Sequence, residues 1–197
     1  MLSAAGSHPG DLHKLWRTRT PGGYQLEYGY SCMGFEIPGA IGAKMADPDR
    51  EIYAFVGDGT YLMMPSEIAT AVQENVKIII ILVDNHGFGS IRGLSESLGS
   101  AGFGTRYSAP VDYASNARSL GAHAIRANDL AEFKAALAEA KAADRISVIV
   151  VETERDARVP GYDSWWDVAV AEVSEIRQVR EARVSYEEAR RKERYYL

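Results

Sequence analysis

Two runs of β-branched and aromatic residues stand out along the chain, at residues 51–56 and 77–83. Both are almost continuously apolar and are bounded by polar turns, which is typical of strands covered on both faces of a parallel sheet. Between them, apolar side chains at Ile68, Ala71 and Val72 follow the i, i+3, i+4 spacing of a helix over residues 65–73. The pattern therefore predicts a strand–helix–strand unit with a right-handed crossover.

The same alternation continues on either side of this unit. It predicts helices over residues 35–46 and 112–120, a short strand over 123–126, a helix capped by Asp129, and a buried strand over 146–152. Strands that alternate with helices in this way are typical of the α/β class. We therefore predict a three-layer α/β/α sandwich with a mainly parallel sheet.

Two segments do not follow this alternation. Residues 87–110 hold six glycines, and their length favours a functional loop over a plain connector. An aromatic segment at 158–167 precedes a charged helix predicted over 170–195. We expect one domain over 1–154, with its first strand truncated, and a C-terminal extension over 155–197 whose charged helix packs on that domain.

Composition narrows the classes of function. The chain has 197 residues and a net charge of −5, which argues against nucleic acid as a partner because phosphate binding normally needs a basic face. No apolar run is long enough to cross a membrane. The single cysteine, Cys32, excludes an internal disulfide, and we expect it to be buried beside Met33. A cytoplasmic location is the simplest expectation.

Two polar motifs follow the central strands. Asp58 lies in Gly57-Asp58-Gly59 after the first strand, and Asn85 follows the next strand 27 positions later. Because the carboxyl ends of parallel strands meet at one edge of the sheet, these side chains should lie close together. Carboxylate, amide and carbonyl oxygens are the ligands that Mg²⁺ prefers, often shared with phosphates.

The glycines of these motifs predict a diphosphate site beside the metal. Gly57, Gly59, Gly87 and Gly89 let backbone N–H groups approach an anion closely. The helix that begins near Pro65 is expected to offer its positive end to the same region. Such a site would bind a diphosphate without a cluster of Arg or Lys. Each motif alone is more simply a turn, and only their spacing favours a function.

The two motifs together resemble those of thiamin-diphosphate-dependent enzymes of the acetolactate synthase and pyruvate decarboxylase group. The resemblance implies that Mg²⁺ is held by the side chains of Asp58 and Asn85 and by the carbonyl of Gly87. It implies a cofactor site formed by eleven residues: Ser31, Met33, Gly57, Asp58, Gly59, Thr60, Asn85, Gly87, Gly89, Ser90 and Ile91.

The same resemblance implies separate roles for the N-terminal segments. Met33 would be the bulky residue that holds the cofactor in its bent form. The carbonyl of Ser31 would meet the amino group of the aminopyrimidine ring. Gly6-Ser7 would form a loop on the diphosphate side.

Three further blocks, at residues 10–16, 27–34 and 159–168, are similar to the trihydroxycyclohexane-1,2-dione hydrolases of myo-inositol catabolism. That family opens a cyclic diketone with water to give 5-deoxyglucuronate. The resemblance therefore implies a thiamin-diphosphate-dependent hydrolase of carbon–carbon bonds. Its substrate would be a cyclic diketone, although residue chemistry alone equally admits a 2-keto acid.

The resemblance also implies that part of the active site lies elsewhere. The glutamate that activates the cofactor belongs to a pyrimidine-binding domain, so no catalytic residue is expected in this chain. That domain would come from the full-length protein or from a partner subunit, and the complete enzyme would be a homo-oligomer. Two alternatives stay open: an acetolactate-synthase-like enzyme domain, or a cofactor-binding module without activity of its own. The roles of His86 and of Tyr162-Trp165-Trp166 also stay open, the latter between closing the site and packing on a subunit.

Overall fold

A computed structural model describes residues 1–161 and 167–194. The strands are β1 (Leu2–Ser3), β2 (Gln25–Leu26), β3 (Tyr53–Gly57), β4 (Ile79–Asp84), β5 (His123–Ala127) and β6 (Ser147–Glu152). The helices are α1 (Ser7–Leu15), α2 (Glu36–Ala46), α3 (Asp58–Tyr61), α4 (Glu67–Gln73), α5 (Gly89–Ser97), α6 (Tyr113–Ser119), α7 (Leu130–Ala142) and α8 (Arg177–Arg190). Within the described residues, no helix is long and apolar enough to cross a membrane.

The six strands form one sheet in the order β2-β1-β3-β4-β6-β5, and every pair of neighbours is parallel. β4 lies at the centre and pairs with β3 on one side and with β6 on the other. All six of its residues are buried. The predicted parallel α/β fold is therefore confirmed. A strand covered on both faces needs a continuous apolar run, and residues 77–83 supply this run for β4.

Helices cover both faces of the sheet. On one face, Ile80, Leu82 and Val148 belong to a large apolar cluster together with residues of α2, α4 and α6. On the other face, Ile79 and Ile149 pack with side chains of α7. Alternate residues of the same strand thus enter two separate cores, which gives the three layers.

Local signals set several element boundaries. Asp129 caps α7 by accepting a hydrogen bond of 2.8 Å from the backbone N–H of Glu132, as the capping pattern predicts. Asp112 caps α6 in the same way, through the N–H of Ser115 at 3.0 Å. The predicted strands are present with ends shifted by one or two residues.

The predicted start of the C-terminal helix is wrong. α8 begins at Arg177, not at residue 170, and Tyr195 lies outside the described residues. The carbonyl of Val170 accepts a hydrogen bond of 2.8 Å from the Arg183 side chain, so it is used by a tertiary contact instead of a helical one. Val170 packs with Val179 and other residues of α8 against Leu98, beyond the end of α5.

The segment at 87–110 is also more ordered than predicted, because its first part forms α5. The side chain of Arg92 is buried in this helix and is 2% exposed. Three glycines within residues 87–93 lower the helical propensity of the segment, so the pattern did not reveal it. Residues 98–110 do form turns, in which Gly99, Gly102 and Gly104 have positive φ.

Candidate functional site

A cavity of about 450 Å³ opens at the carboxyl ends of β3 and β4. Its wall combines the turn after β3, the turn and helix after β4, and two segments from the N-terminal part of the chain. It is lined by all eleven residues of the predicted cofactor site: Ser31, Met33, Gly57, Asp58, Gly59, Thr60, Asn85, Gly87, Gly89, Ser90 and Ile91. Gly6 and Ser7 line it too. The structure thus brings the predicted set together in one place.

Asp58 lies at the base of this cavity, where β3 passes directly into the short helix α3. Its side chain is buried, and Oδ1 accepts a hydrogen bond of 2.7 Å from the N–H of Gly59. Oδ2 accepts one of 2.8 Å from the N–H of Gly87. Burial raises the pKa of Asp58 to about 6 and the nearby Asp84 adds to the rise, although these two N–H groups oppose it.

Asn85 and Gly87 bring further polar atoms to Asp58. One amide atom of Asn85 lies 3.2 Å from Asp58 Oδ1 and 3.1 Å from the carbonyl oxygen of Gly87. With its nitrogen in this place, the amide donates to both oxygens. With its oxygen there, three oxygen atoms surround one point and could hold a hard cation. Among the described residues, no group of three His, Cys, Asp or Glu side chains is arranged to hold a metal ion, so a metal here would depend on the amide and the carbonyl.

Two glycines of the motifs, Gly59 and Gly87, have no room for a side chain. A Cβ on Gly59 would lie 2.6 Å from the ring of Phe88. Gly87 has φ 137°, and a Cβ there would overlap the carbonyl oxygen of Thr105. These close approaches keep the backbone N–H groups of both turns next to the cavity.

His86 is placed outside this cavity. Its Nε2 lies 2.8 Å from Glu152 Oε1, and its backbone N–H donates to Asp84 Oδ1 at 3.0 Å. His86 adopts φ 60°, which turns the chain between Asn85 and Gly87. In the described structure its ring therefore links the ends of β4 and β6 and does not line the site.

A loop at residues 28–33 forms the opposite wall. The carboxylate of Glu27 holds it, because Oε1 accepts from the N–H of Tyr30 at 3.2 Å and Oε2 from the N–H of Cys32 at 2.6 Å. Ser31, between these two residues, has φ 52°. The expected burial of Cys32 is wrong: Cys32 is exposed because the loop stands away from the core.

Other lining residues were not predicted as part of the site. They are Ala5, His8, Pro9, Tyr28, Phe88 and Leu94. Phe88 lies inside the second motif and could have been found from its position there. The prediction for the helix near Pro65 is wrong, because no described residue of α4 lines the cavity and the wall contains the first turn of α5 instead.

Comparison with known sequences gives the same assignment as the motifs. The family described as "Thiamine pyrophosphate enzyme, C-terminal TPP binding domain" matches residues 4–151. The chain is 47% identical over 188 residues to the 3D-(3,5/4)-trihydroxycyclohexane-1,2-dione hydrolases of Bacillus velezensis and Bacillus subtilis, and 43% identical to that of Shouchella clausii. Each match covers 92% of this chain and 30% of the relative, so the chain spans less than a third of the relatives' length.

Solved structures share the fold. A thiamine diphosphate-dependent 4-hydroxybenzoylformate decarboxylase of Rhodococcus jostii RHA1 matches with a TM-score of 0.64 and 28% identity, over 68% of this chain and 25% of that one. A benzoylformate decarboxylase of Polynucleobacter necessarius matches with a TM-score of 0.71 and 21% identity, over 78% of this chain and 30% of that one.

Proposed function

The chain belongs to the thiamine pyrophosphate enzyme family, as its C-terminal cofactor-binding domain, and from this premise we propose that it holds thiamin diphosphate through a Mg²⁺ ion at Asp58. The observation that carries the proposal is the set of oxygen atoms at the carboxyl ends of β3 and β4. Metal ligands would be Asp58 Oδ1, the side-chain oxygen of Asn85 and the carbonyl of Gly87.

The spacing of these atoms fits such an ion. Adjacent oxygen ligands of an octahedral Mg²⁺ stand about 3.0 Å apart when each metal–oxygen distance is about 2.1 Å. The Asn85 amide atom lies 3.2 Å from Asp58 Oδ1 and 3.1 Å from the Gly87 oxygen. With the Asn85 oxygen at this point and its Nδ2 facing Gly89, the amide presents an oxygen ligand without any rotation. The site therefore needs little rearrangement to accept the cation.

The cavity beside this metal site fits a diphosphate. In the first turn of α5, the N–H groups of Ser90 and Ile91 have no acceptor within the helix and are available to an anion, whereas that of Gly89 donates to the carbonyl oxygen of Gly87 at 3.1 Å. Gly59 and Thr60 supply the other side of the cavity. The start of α5 and the turn with Gly59 and Thr60 would thus bind the phosphates. The loop with Ser31 and Met33 would bind the pyrimidine end.

The chemistry that thiamin diphosphate supplies fits the hydrolase activity for which the relatives are named. When bound, thiamin diphosphate supplies an electron sink that allows a bond next to a carbonyl carbon to be broken. We propose that the whole protein is a hydrolase that opens trihydroxycyclohexane-1,2-dione to 5-deoxyglucuronate in inositol catabolism. Its cytoplasmic location and homo-oligomeric state belong to the same proposal, as does the division into a domain at 1–154 and an extension at 155–197.

Within this proposal the residues of the chain bind and orient the cofactor, and none is catalytic. Asp58 and Asn85 hold the metal. The turns with Gly59 and Gly87 have no side chains at these positions, which leaves room for the diphosphate. The activating glutamate would come from a pyrimidine-binding domain, which is consistent with a match to only 30% of each relative.

The metal proposal is tested by titrating the chain with thiamin diphosphate in the presence and absence of Mg²⁺. We expect Mg²⁺-dependent binding that is lost in Asp58→Ala. Equal binding by both proteins would rule out the metal site. Asp144→Ala, which removes an exposed carboxylate before β6, is the matched control and should bind like wild type.

The second candidate function, a cofactor-binding module without activity alone, follows from the same partial coverage. Mixing the chain with a separately produced pyrimidine-binding domain, cofactor and Mg²⁺ distinguishes this module from one part of a split enzyme. Ring opening of the cyclic diketone in the mixture, but in neither part alone, would identify a split enzyme. Hydrolysis that never appears would leave the module as the function of this chain.

A further inference from the structure

Arg158 approaches the open face of Gly89, at the start of α5. A Cβ built on Gly89 would lie 2.6 Å from Arg158 Nη2, 2.7 Å from Asn85 Nδ2 and 2.9 Å from Ser7 Oγ. Three polar atoms from three distant segments therefore surround the space that a side chain would fill. Because residue 89 is glycine, these three polar groups can converge on the backbone at the start of α5.

The segment that carries Arg158 is held in place by hydrogen bonds from Arg92 on α5. The buried side chain of Arg92, on α5, donates to the carbonyl oxygen of Arg155 at 3.2 Å and also binds the carboxylate of Asp156. Arg158 itself donates through Nη1 to the carbonyl oxygens of Arg155 at 3.2 Å and Ala157 at 2.7 Å. Its second nitrogen, Nη2, is thereby directed to the start of α5.

The described lining of the cavity lacks the positive side chain that a diphosphate would need, and the guanidinium of Arg158 can supply it. The described residues that line the cavity include Asp58 but no lysine or arginine. A diphosphate carries more negative charge than one divalent cation neutralises. His8 does not supply the missing charge, because burial lowers its pKa, and Arg158 lowers it further, with only Asp11 opposing. An arginine side chain is the group suited to supply a permanent positive charge.

We propose that Arg158 binds the terminal phosphate of the diphosphate, together with the hydroxyl of Ser7. The inference rests on the proposed function, since it adds a ligand to the same cofactor. Nη1 donates to two carbonyl oxygens, so Nε and Nη2 are the parallel pair of N–H donors that matches a phosphate, a pair that lysine lacks. Arg158 comes from the segment after β6, so the extension at 155–197 contributes to the cofactor site.

The test uses the full chain and two ligands that differ by the terminal phosphate. The affinities for thiamin diphosphate and thiamin monophosphate are measured by calorimetry with Mg²⁺ present, for wild type, Arg158→Gln and Arg158→Lys. Arg158→Gln should weaken binding of the diphosphate roughly 10- to 100-fold, the size expected for hydrogen bonds to a charged group. Binding of the monophosphate should not change. Arg158→Lys should fall between wild type and Arg158→Gln.

Arg145→Gln is the matched control, because this exposed arginine pairs with Asp144 before the amino end of β6, whereas the cavity opens at the carboxyl ends of the strands. It should bind both ligands like wild type. An equal loss for both ligands in Arg158→Gln, or no loss for either, would overturn the role of Arg158. A wild-type chain that binds neither ligand at any Mg²⁺ concentration would instead overturn the proposed function, and this inference with it.

Discussion

The carboxylate of Asp58 accepts a hydrogen bond of 2.8 Å from the backbone N–H of Gly87, a residue 29 positions later in the chain. The bond is buried and joins the turn after β3 to the turn after β4. It fixes the distance between the two motifs, so the amide of Asn85 lies against both this carboxylate and the carbonyl of Gly87. The site is therefore preformed by backbone geometry as much as by its side chains.

Gly87→Ala should destabilise the protein even without ligand. Gly87 has φ 137°, and a Cβ would overlap the carbonyl oxygen of Thr105. The backbone strain alone costs about 1–2 kcal/mol, and the overlap adds to it. We expect the free energy of unfolding, measured with urea, to fall by at least about 2 kcal/mol.

The control is Gly42→Ala, in the middle of α2, where an added Cβ meets no atom within 4 Å. This substitution should stabilise the protein by up to about 1 kcal/mol, because alanine favours a helix over glycine. If Gly87→Ala were as stable as Gly42→Ala, the turn after β4 would not have the strained geometry described above.

Ligand binding should be visible in the stability of the chain. A ligand present at about 100 times its Kd adds about 2.7 kcal/mol to the free energy of unfolding. We expect wild type to gain this amount from thiamin diphosphate with Mg²⁺, and Asp58→Asn to gain almost nothing. Urea titrations with and without both ligands measure the difference. An equal gain in the variant would argue that the metal does not depend on this carboxylate.

Glu27→Ala should weaken cofactor binding through the loop at residues 28–33. The carboxylate accepts two backbone hydrogen bonds, from Tyr30 and Cys32, and Ser31 lies between them with φ 52°. Hydrogen bonds to a charged group contribute about 1.5–3 kcal/mol, so the affinity for thiamin diphosphate should fall roughly tenfold or more.

Inorganic pyrophosphate separates this effect from a general loss of structure. Its binding with Mg²⁺ should be unchanged in Glu27→Ala, because it does not reach the pyrimidine side. Glu74→Ala, an exposed residue that follows α4, is the control for removing a carboxylate. A parallel loss of pyrophosphate binding would mean that Glu27 supports the whole site and not the loop.

The sequence predicted the centre of the fold and of the site for physical reasons. A strand covered on both faces must be apolar throughout, so residues 77–83 could be recognised without any tertiary information. Asp58 and Asn85 could be placed together because parallel strands bring their carboxyl ends to one edge. Both inferences depend on local patterns combined with a general rule of topology.

The features that could not be predicted from the sequence depend on contacts between distant segments. α5 forms although it is rich in glycine, and its buried residues are Gly89 and Arg92, which no apolar pattern would mark. Val170 lies before α8, and its carbonyl accepts a hydrogen bond from Arg183 inside that helix. Arg158 reaches Gly89 from 69 positions away, and no motif spacing relates these two residues.

The last prediction concerns Glu36, the first residue of α2. Its side chain is fully buried, and neither carboxylate oxygen has a hydrogen-bond partner among the described residues. Burial raises the pKa of Glu36 from about 4.5 to about 7, and the nearby backbone N–H groups of Gly34 and Ala4 offset only part of this rise. The carboxyl is therefore protonated in the folded protein under conditions in which it ionises in the unfolded chain.

The stability that Glu36 contributes is therefore fully present below pH 4.5 and is lost as the pH rises to about 7. A shift of this size corresponds to roughly 3 kcal/mol. Glu36→Gln should remove this loss, whereas Glu188→Gln, on the exposed face of α8, should leave it unchanged. Burial also raises the pKa of Asp58, to about 6, so the Glu36 variant should keep a smaller decline over the same range. Urea unfolding at pH 5, 6, 7 and 8 measures these slopes. A Glu36→Gln slope equal to that of wild type would show that this carboxyl is not buried in solution.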